Sequence, residues 1–289
     1  LSCLYISIYD NELNEISNRR IFDKSRIETG TLFKGFTTDS SGCYYTFYSD
    51  ENDNVTMYKY SPDDEMMFIK ENITADMEGM FNGAFIGKDE SLVIYTHPEE
   101  VGSTYFFNMI DADTGEVSER YEAELEGEQT LHWLMMVNNC KSEEYDFTYM
   151  SEGVIYGYRF EDEENVVAAD LNKYGSESLK YSYAVGSENV ILASGYDVTD
   201  SESGVFLCKS DFKGNVQNYY KSDGTIRKIK TSENNSVYVL ESMYSSETDS
   251  DSNYVVELDK DLDMLRRTYI GDGYSDDFVI DQYENIAVY

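Results

Sequence analysis

The amino-acid sequence predicts an all-β fold, a single β-propeller domain of six four-stranded antiparallel blades that spans residues 1–289. Three observations predict it: a repeat of about 50 residues, alternation of apolar and polar residues within short runs, and two chain ends that each match half a repeat. Composition agrees, because tyrosine favours half-buried pleated surfaces and occurs 27 times against two prolines.

Short β-like runs that end in an acidic turn recur at a nearly constant spacing. Their starts are 49 to 51 residues apart and lie at Leu4, Val55, Tyr105, Val154, Val205 and Val255. A second run follows each turn, which is a hairpin signature, and complete units open with two more runs, such as Phe33 to Thr38 and Cys43 to Tyr48. The 3.6-residue period of amphipathic helices is missing. The repeat therefore predicts four strands per unit.

One blade is expected to combine the two chain ends. The last segment matches the first two strands of a unit and the first segment matches the last two, so residues 1–22 and 272–289 should form one blade. Sharing a blade in this way closes the ring and protects its edge strands. The other blades are predicted at residues 31–75, 79–125, 129–174, 179–222 and 225–270.

Several inner hairpins carry a common turn-and-strand pattern, at residues 39–45, 232–239 and 281–288. The pattern resembles the Asp-x-x-Gly-Asn-x-Tyr-Val element of six-bladed bacterial propellers of the NHL and TolB-like groups, although only the first segment has the glycine. Those groups include binding modules, lipoproteins, scaffold domains and a few metal-dependent hydrolases. The resemblance therefore implies the architecture and little of the chemistry.

The chain is strongly acidic, with 22 Lys and Arg against 57 Asp and Glu and a formal net charge of −35. Such a field repels phosphate backbones and anionic lipid headgroups, so nucleic acid is excluded as an expected partner. No apolar run approaches the roughly 20 residues of a membrane-spanning helix, and no transmembrane segment is predicted in this chain. We expect a monomer that binds a protein, peptide or carbohydrate ligand.

The four cysteines give no metal or disulfide signature. Cys3, Cys43, Cys140 and Cys208 form no CxxC pair and have no histidine at ligand spacing, which argues against zinc. Cys43 and Cys208 lie in predicted strands, where a free thiol behaves as a small apolar side chain.

The first residues bear on location. The sequence begins at Leu1-Ser2-Cys3 without methionine, from which we expect that a signal or anchor segment is absent from this chain. Leu-Ser-Cys is similar to a lipoprotein cleavage site, although an apolar run follows Cys3 directly. The predicted location is extracellular or at the bacterial cell surface.

No catalytic residue is predicted. The two histidines, His97 and His132, lie far apart in the repeat, and no nucleophile elbow, phosphate-binding loop or zinc-protease helix occurs. Carboxylates are so abundant in this chain that a pair suited to acid–base catalysis could arise by chance, so no such pair indicates an active site. The favoured function is non-enzymatic extracellular binding, and the alternative is a metal-dependent hydrolase, similar to six-bladed lactonases, with carboxylates in the central channel.

No cofactor is expected apart from a weak calcium candidate. Asp249-x-Asp251-x-Asn253 and Asp111-x-Asp113-x-Gly115 place oxygen atoms two residues apart, an arrangement suited to hard cations. Aspartate and glycine are also ordinary turn residues, so both segments fit structural turns as well.

Two places are candidates for ligand binding. His132 and Trp133 lie in an innermost strand, which borders the central channel, and either face a ligand or pack in the core. The longest loops between second and third strands hold Tyr196 to Gly204 and Tyr244 to Asn253 on one rim. Long loops on a rigid scaffold commonly carry function, although tolerated insertion explains them too. Tyr196 and Tyr244 are the predicted binding residues of this rim.

Overall fold

The computed structural model describes residues 3–23, 30–63, 65–98, 102–126, 135–137, 145–151, 154–170, 182–186, 190–196, 205–211, 216–232, 235–246, 249–275, 277–280 and 284–288. Within these ranges the chain forms β-strands joined by turns. In chain order the strands are β1 (Cys3–Tyr9), β2 (Glu15–Asp23), β3 (Leu32–Thr38), β4 (Tyr44–Ser49), β5 (Val55–Tyr60), β6 (Met66–Lys70), β7 (Met80–Ile86), β8 (Leu92–His97), β9 (Thr104–Ile110), β10 (Val117–Glu124), β11 (Met135–Val137), β12 (Phe147–Ser151), β13 (Val154–Arg159), β14 (Glu164–Asp170), β15 (Ser182–Gly186), β16 (Val190–Tyr196), β17 (Val205–Asp211), β18 (Val216–Ser222), β19 (Thr225–Thr231), β20 (Val237–Ser245), β21 (Ser250–Leu258), β22 (Met264–Asp272), β23 (Phe278–Ile280) and β24 (Ile286–Val288).

The described strands form antiparallel sheets of four strands each. Five sheets consist of consecutive strands, running from β3 to β6, β7 to β10, β11 to β14, β15 to β18 and β19 to β22. The sixth has the order β2-β1-β24-β23 and so contains both ends of the chain. Within it, β1 pairs with β24, placing Ser7 opposite Val288 and Tyr9 opposite Ile286. The predicted combination of the two ends in one sheet is present.

Neighbouring sheets face each other across an apolar core. Phe107 of one sheet stacks on Phe147 of the next, with ring centroids 4.4 Å apart. Each core cluster joins residues of two neighbouring sheets in the same way, as Leu240 and Phe278 do beside the sheet that contains both ends. First strands of most successive sheets also contact one another, as β15 contacts β19 and β23 contacts β3. The chain therefore folds as an all-β propeller of antiparallel sheets.

Aspartate side chains hold many of the tight turns. Their carboxylates accept hydrogen bonds from backbone N–H groups two to four residues further on, at Asp10, Asp39, Asp50, Asp89, Asp111 and Asp259. The Asn54 side chain and the turn N–H groups lower the pKa of Asp50 below its ordinary value. Asp111 belongs to one of the calcium candidates, and its hydrogen bonds are those of a structural turn.

The turn-and-strand pattern keeps its backbone shape where it lacks glycine. Gly42 has a φ of 83°, and the corresponding residues of the other two segments, Asn235 and Glu284, have φ values of 64° and 63°. All three occupy the left-handed region, which only glycine enters without a steric penalty. The missing glycines therefore add strain at this one position without changing its left-handed conformation.

The expected long loop from Tyr244 to Asn253 is mostly strand, so that prediction was wrong. The sequence predicts a loop from Tyr244 to Asn253, whereas the ladder between β20 and β21 continues until Ser245 pairs with Ser250. Apart from Met243, the residues of these outer pairs are polar. Polar residues break the apolar alternation by which strands are recognised, although their backbones still pair. The other expected loop follows Tyr196, and its residues lie outside the described ranges.

Within the described ranges, the structure contains no helix with the length and apolarity needed to cross a bilayer.

Candidate functional site

The extended β20–β21 hairpin meets the connection that follows β22 at one end of its sheet. The Gly273 N–H donates a hydrogen bond of 2.7 Å to the Asp251 carbonyl, which joins the two segments. We call the surface formed here by Arg227, Tyr244, Asp251 and Tyr274 the hairpin rim.

Arg227 lies at the centre of the hairpin rim because of a β-bulge. The register between β19 and β20 shifts between Ile226 and Lys228, which leaves Arg227 as the extra residue. Its guanidinium lies 3.2 Å from the Asp251 carboxylate and 5.3 Å from the centroid of the Tyr274 ring. The bulge thus directs a cation towards a carboxylate and an aromatic face.

Two tyrosine rings of the hairpin rim are exposed to solvent. Tyr244 is opposite Asp251 in the ladder and 66% exposed, and Tyr274 is 61% exposed. The Tyr244 hydroxyl donates a hydrogen bond of 2.8 Å to Asp249, and this bond raises the pKa of the phenol above its ordinary value. The rim therefore presents two aromatic rings. Tyr244 lies opposite Asp251, and Tyr274 contacts Arg227, the partner of Asp251.

A buried carboxylate beside the hairpin rim ties two sheets together. Glu241 of β20 is fully buried and accepts hydrogen bonds of 2.9 Å from the Tyr220 hydroxyl and 2.6 Å from the Ser222 hydroxyl, both on β18 of the preceding sheet. Its second oxygen lies 3.0 Å from Arg267 in an ionic contact. Burial, and then the charge of Glu241, raises the pKa of Tyr220, which keeps the phenol protonated as a donor.

Arg267 extends this network to the surface. One of its nitrogens lies 2.9 Å from Asp223, in the connection between the two sheets, and its guanidinium stacks 4.2 Å above the Tyr254 ring. The network therefore fixes the relative position of the strands that carry the rim.

The three residues of the weak calcium candidate Asp249-x-Asp251-x-Asn253 have separate partners. Asp249 accepts from Tyr244, Asp251 pairs with Arg227, and buried Asn253 donates 2.7 Å to the Gly273 carbonyl. Within the described ranges, no group of three His, Cys, Asp or Glu side chains is placed to hold a metal ion. Calcium binding at this segment stays a prediction.

The other predicted binding residues are only partly accounted for. His132 and Trp133 lie outside the described residues. The backbone of Tyr196 ends β16 opposite Val205, while its side chain lies outside the described part. His97 ends β8, and its Nδ1 lies 2.6 Å from the Pro98 carbonyl oxygen.

Sequence reasoning missed Arg227, Glu241, Arg267 and Tyr274. One signal was available: β19 reads Thr-Ile-Arg-Lys-Ile-Lys-Thr, a local concentration of cations in an acidic chain. The partners of Glu241 carry no sequence signal, because strand pairing and sheet packing bring them together.

The structure describes the side chains of two cysteines, Cys43 and Cys208. Cys208 is a free, buried thiol, and burial raises its pKa to about 11. Cys43 is also free but only partly buried.

Comparisons with known proteins support the fold. No protein-family model matches the sequence, and no curated protein matches it. A solved protein of unknown function from Bacteroides caccae is similar with a TM-score of 0.55 and 10% identity, over 93% of this chain and 94% of that chain. The chain is an all-β propeller. At this identity the likeness concerns the fold alone.

Two further solved structures are more distant. A luciferin-regenerating enzyme has a TM-score of 0.48 and 10% identity, over 86% of this chain and 80% of that one. A protein provisionally named a gluconolactonase has a TM-score of 0.47 and 10% identity, over 89% and 91% of the two chains. The narrower resemblance to the NHL and TolB-like groups stays a prediction.

Proposed function

We propose that this propeller is a non-enzymatic binding protein whose ligand rests on the hairpin rim. The observation that carries the proposal is the pair of exposed rings, Tyr244 and Tyr274, around the ion pair of Arg227 with Asp251. Tyrosine and arginine are the residues that most often dominate binding energy at interfaces. The buried network of Glu241 supports the rim and reduces the side-chain ordering that binding would require.

We infer that the sheets are six blades of one closed ring. The supporting contacts link the first strands of successive sheets, β3 with β7, β11 with β15, β15 with β19, β19 with β23, and β23 with β3. A closed ring would hold the hairpin rim on a rigid frame, because each sheet packs against two neighbours.

The proposed ligand is a peptide, a protein surface or a carbohydrate. Aromatic faces beside carboxylate and hydroxyl groups suit partners that combine apolar surface with hydrogen-bond donors. The net charge of −35 disfavours nucleic acid. We further infer a monomer that acts outside the bacterial cell, which gel filtration and fractionation of the native host would test.

Binding to glycan and peptide arrays, followed by titration of the strongest hit, tests the role of the hairpin rim. Tyr274→Ala and Tyr244→Ala should each weaken binding about fivefold or more, because each removes an aromatic contact. Tyr219→Ala is the matched control, since Tyr219 is 50% exposed on β18 and does not belong to the rim. Equal losses in the control, or unchanged affinity in both rim variants, would contradict the proposal.

Turnover assays test the non-enzymatic part separately. The unmodified chain is incubated with lactone and ester substrates, with added Ca²⁺ or with a chelator. We expect no turnover in either condition. Hydrolysis that needs Ca²⁺ and disappears with the chelator would replace this proposal with a metal-dependent hydrolase.

A further inference from the structure

A groove of about 910 Å³ lies between the sheet of β7 to β10 and the sheet of β11 to β14. We call it the inter-sheet groove. It is lined by the turn from β7 to β8, by residues of β9 and β10, by Tyr145 and Asp146 just before β12, and by the turn from β13 to β14. The hairpin rim lies at a turn from second to third strand, and successive turns of an antiparallel sheet lie at alternate ends. The two surfaces are therefore at different ends of the sheets.

Aromatic side chains form the wall of the inter-sheet groove. Tyr121 of β10 stacks on Phe160, with ring centroids 4.4 Å apart and an angle of 20° between the planes. Tyr145 lies against Gly157, where a Cβ atom would come within 2.3 Å of its ring. Both Tyr121 and Phe160 are half-buried, so their stacked pair remains accessible from the groove.

The charge of the groove is negative. Its lining includes two cations, Lys88 and Arg159, and five carboxylates. Both cations already have partners: Lys88 lies 2.6 Å from Asp146, and Arg159 lies 3.2 Å from Asp162 and 2.7 Å from Glu164. Their charges are thus compensated within the protein.

Two carboxylates of the lining, Glu119 and Glu161, form no ion pair within the described part of the chain, whereas the charge of Lys88 acts on Asp89. Glu119 accepts a hydrogen bond of 2.6 Å from the Tyr121 hydroxyl, Asp89 accepts one of 2.6 Å from the Ser91 hydroxyl, and Glu161 lies at the exposed edge. Glu119 therefore places a carboxylate directly beside the aromatic pair. A cation in the groove can contact the carboxylate and a ring face together.

We propose that the inter-sheet groove binds a peptide segment that carries lysine or arginine. Ligand pockets commonly have volumes of about 300–1,000 Å³, so the groove has room for several residues. The acidic field of the whole chain would draw a basic segment towards it and speed the encounter. This binding is independent of the ligand proposed for the hairpin rim.

Fluorescence anisotropy with the full chain tests the proposal. The probe is a fluorescein-labelled peptide of alternating lysine and tyrosine, and its counterpart replaces each lysine with glutamate. The lysine peptide should bind and weaken as salt is raised, because partly exposed charges are screened. The glutamate peptide should not bind. Equal binding of the two peptides would overturn the proposal.

Three variants locate the binding site. Glu119→Gln and Tyr121→Ala should each weaken binding of the lysine peptide by about two- to fivefold, the size of one exposed cation contact. Glu122→Gln is the matched control: it makes the same charge change on β10, and its side chain projects from the other face of the strand. This control should bind like the unmodified chain.

The outcomes separate the groove from a general effect of charge. If Glu122→Gln weakens binding as much as Glu119→Gln does, the acidic field alone explains binding and the groove is not the site. Thermal unfolding confirms that each variant folds. If Tyr121→Ala does not fold, Tyr121→Phe replaces it in the test, and this variant should retain binding because it keeps the ring. Loss of binding in Tyr121→Phe would overturn the role of the ring. Tyr274→Ala should leave the lysine peptide bound, so failure at the rim and failure at the groove are distinguishable.

Discussion

Left-handed turn residues of two kinds occur in this propeller. Glu163 has a φ of 51° and is exposed in the turn between β13 and β14, whereas Leu262 has a φ of 65° and is 4% exposed beneath the turn between β21 and β22. Both are strained, because a Cβ atom in this conformation approaches the following carbonyl oxygen. Only Leu262 compensates the strain, since its side chain packs with Val256 and Leu258 in the core.

Replacement by glycine should therefore have opposite effects at these two positions. Glu163→Gly should raise the free energy of unfolding by about 0.5–1 kcal/mol. Glycine relieves the strain of the folded state, and this gain exceeds the cost of the greater conformational entropy that glycine gives to the unfolded chain. Leu262→Gly should lower it by about 1–3 kcal/mol, because the lost burial exceeds the relieved strain. Chemical denaturation of both variants measures the difference. Stabilisation by Leu262→Gly would show that its packing contributes little.

The β20–β21 hairpin is the element that connects the hairpin rim to the rest of the molecule. Glu241 receives two hydrogen bonds from β18 and an ionic contact from Arg267 of β22, so one side chain joins three strands of two sheets. Arg267 in turn contacts Asp223, which is 72% exposed. The same arginine thus has one buried and one exposed carboxylate partner. The contributions of a buried and an exposed ion pair to stability can therefore be compared at a single arginine.

Loss of the buried charge should destabilise the fold far more than loss of the exposed one. Glu241→Gln should lower the free energy of unfolding by about 2–4 kcal/mol, because it leaves the Arg267 guanidinium without its buried charge partner. Asp223→Asn should cost less than about 1 kcal/mol, as expected for an exposed ion pair. Denaturant titration of the two variants checks the ranking.

A double variant tests whether the two side chains act as a unit. Glu241→Gln combined with Arg267→Met should cost less than the sum of the single changes, because the second change removes the unpaired cation. Additive losses would mean that the contact between Glu241 and Arg267 contributes nothing of its own.

At the scale of the whole molecule, one sheet holds the two ends of the chain together. Ile8 of β1 lies opposite Ala287 of β24, and both are partly buried. Directly opposed residues of antiparallel strands have Cα atoms about 4.5–5.5 Å apart, within the range that a disulfide spans. A cross-link here would connect the first and last described strands.

An engineered disulfide between these strands should stabilise the protein. The variant Ile8→Cys with Ala287→Cys should gain about 2–4 kcal/mol on oxidation, because the cross-link restricts the unfolded chain. Thermal unfolding is measured for the oxidised and the reduced form of the same variant. Because both forms carry the same substitutions, the difference in stability reports the cross-link alone. If the disulfide does not form, or gives no gain, the two ends are not paired as described.

The two proposed binding surfaces lie at opposite ends of the sheets and contain different ion pairs. At the hairpin rim, Arg227 is paired with Asp251, and beside the rim Arg267 is paired with Glu241 and Asp223. In the inter-sheet groove, the two cations are paired with carboxylates and Glu119 remains beside the half-buried pair of Tyr121 and Phe160. A propeller can carry distinct ligands in this way because its two ends are built from different sets of turns.

The repeat, the turns and the sheet shared by both ends were predictable from the sequence by itself. Each depends on local patterns: alternation along a strand, aspartate and glycine in the turns, and recurrence at 49 to 51 residues. Only the tertiary structure decided that Tyr244 to Asn253 is mostly strand, that Glu241 meets Ser222 and Arg267, and that a groove opens beside Tyr121. These features depend on how sheets pack and on the direction of side chains from separate strands, which no local pattern encodes.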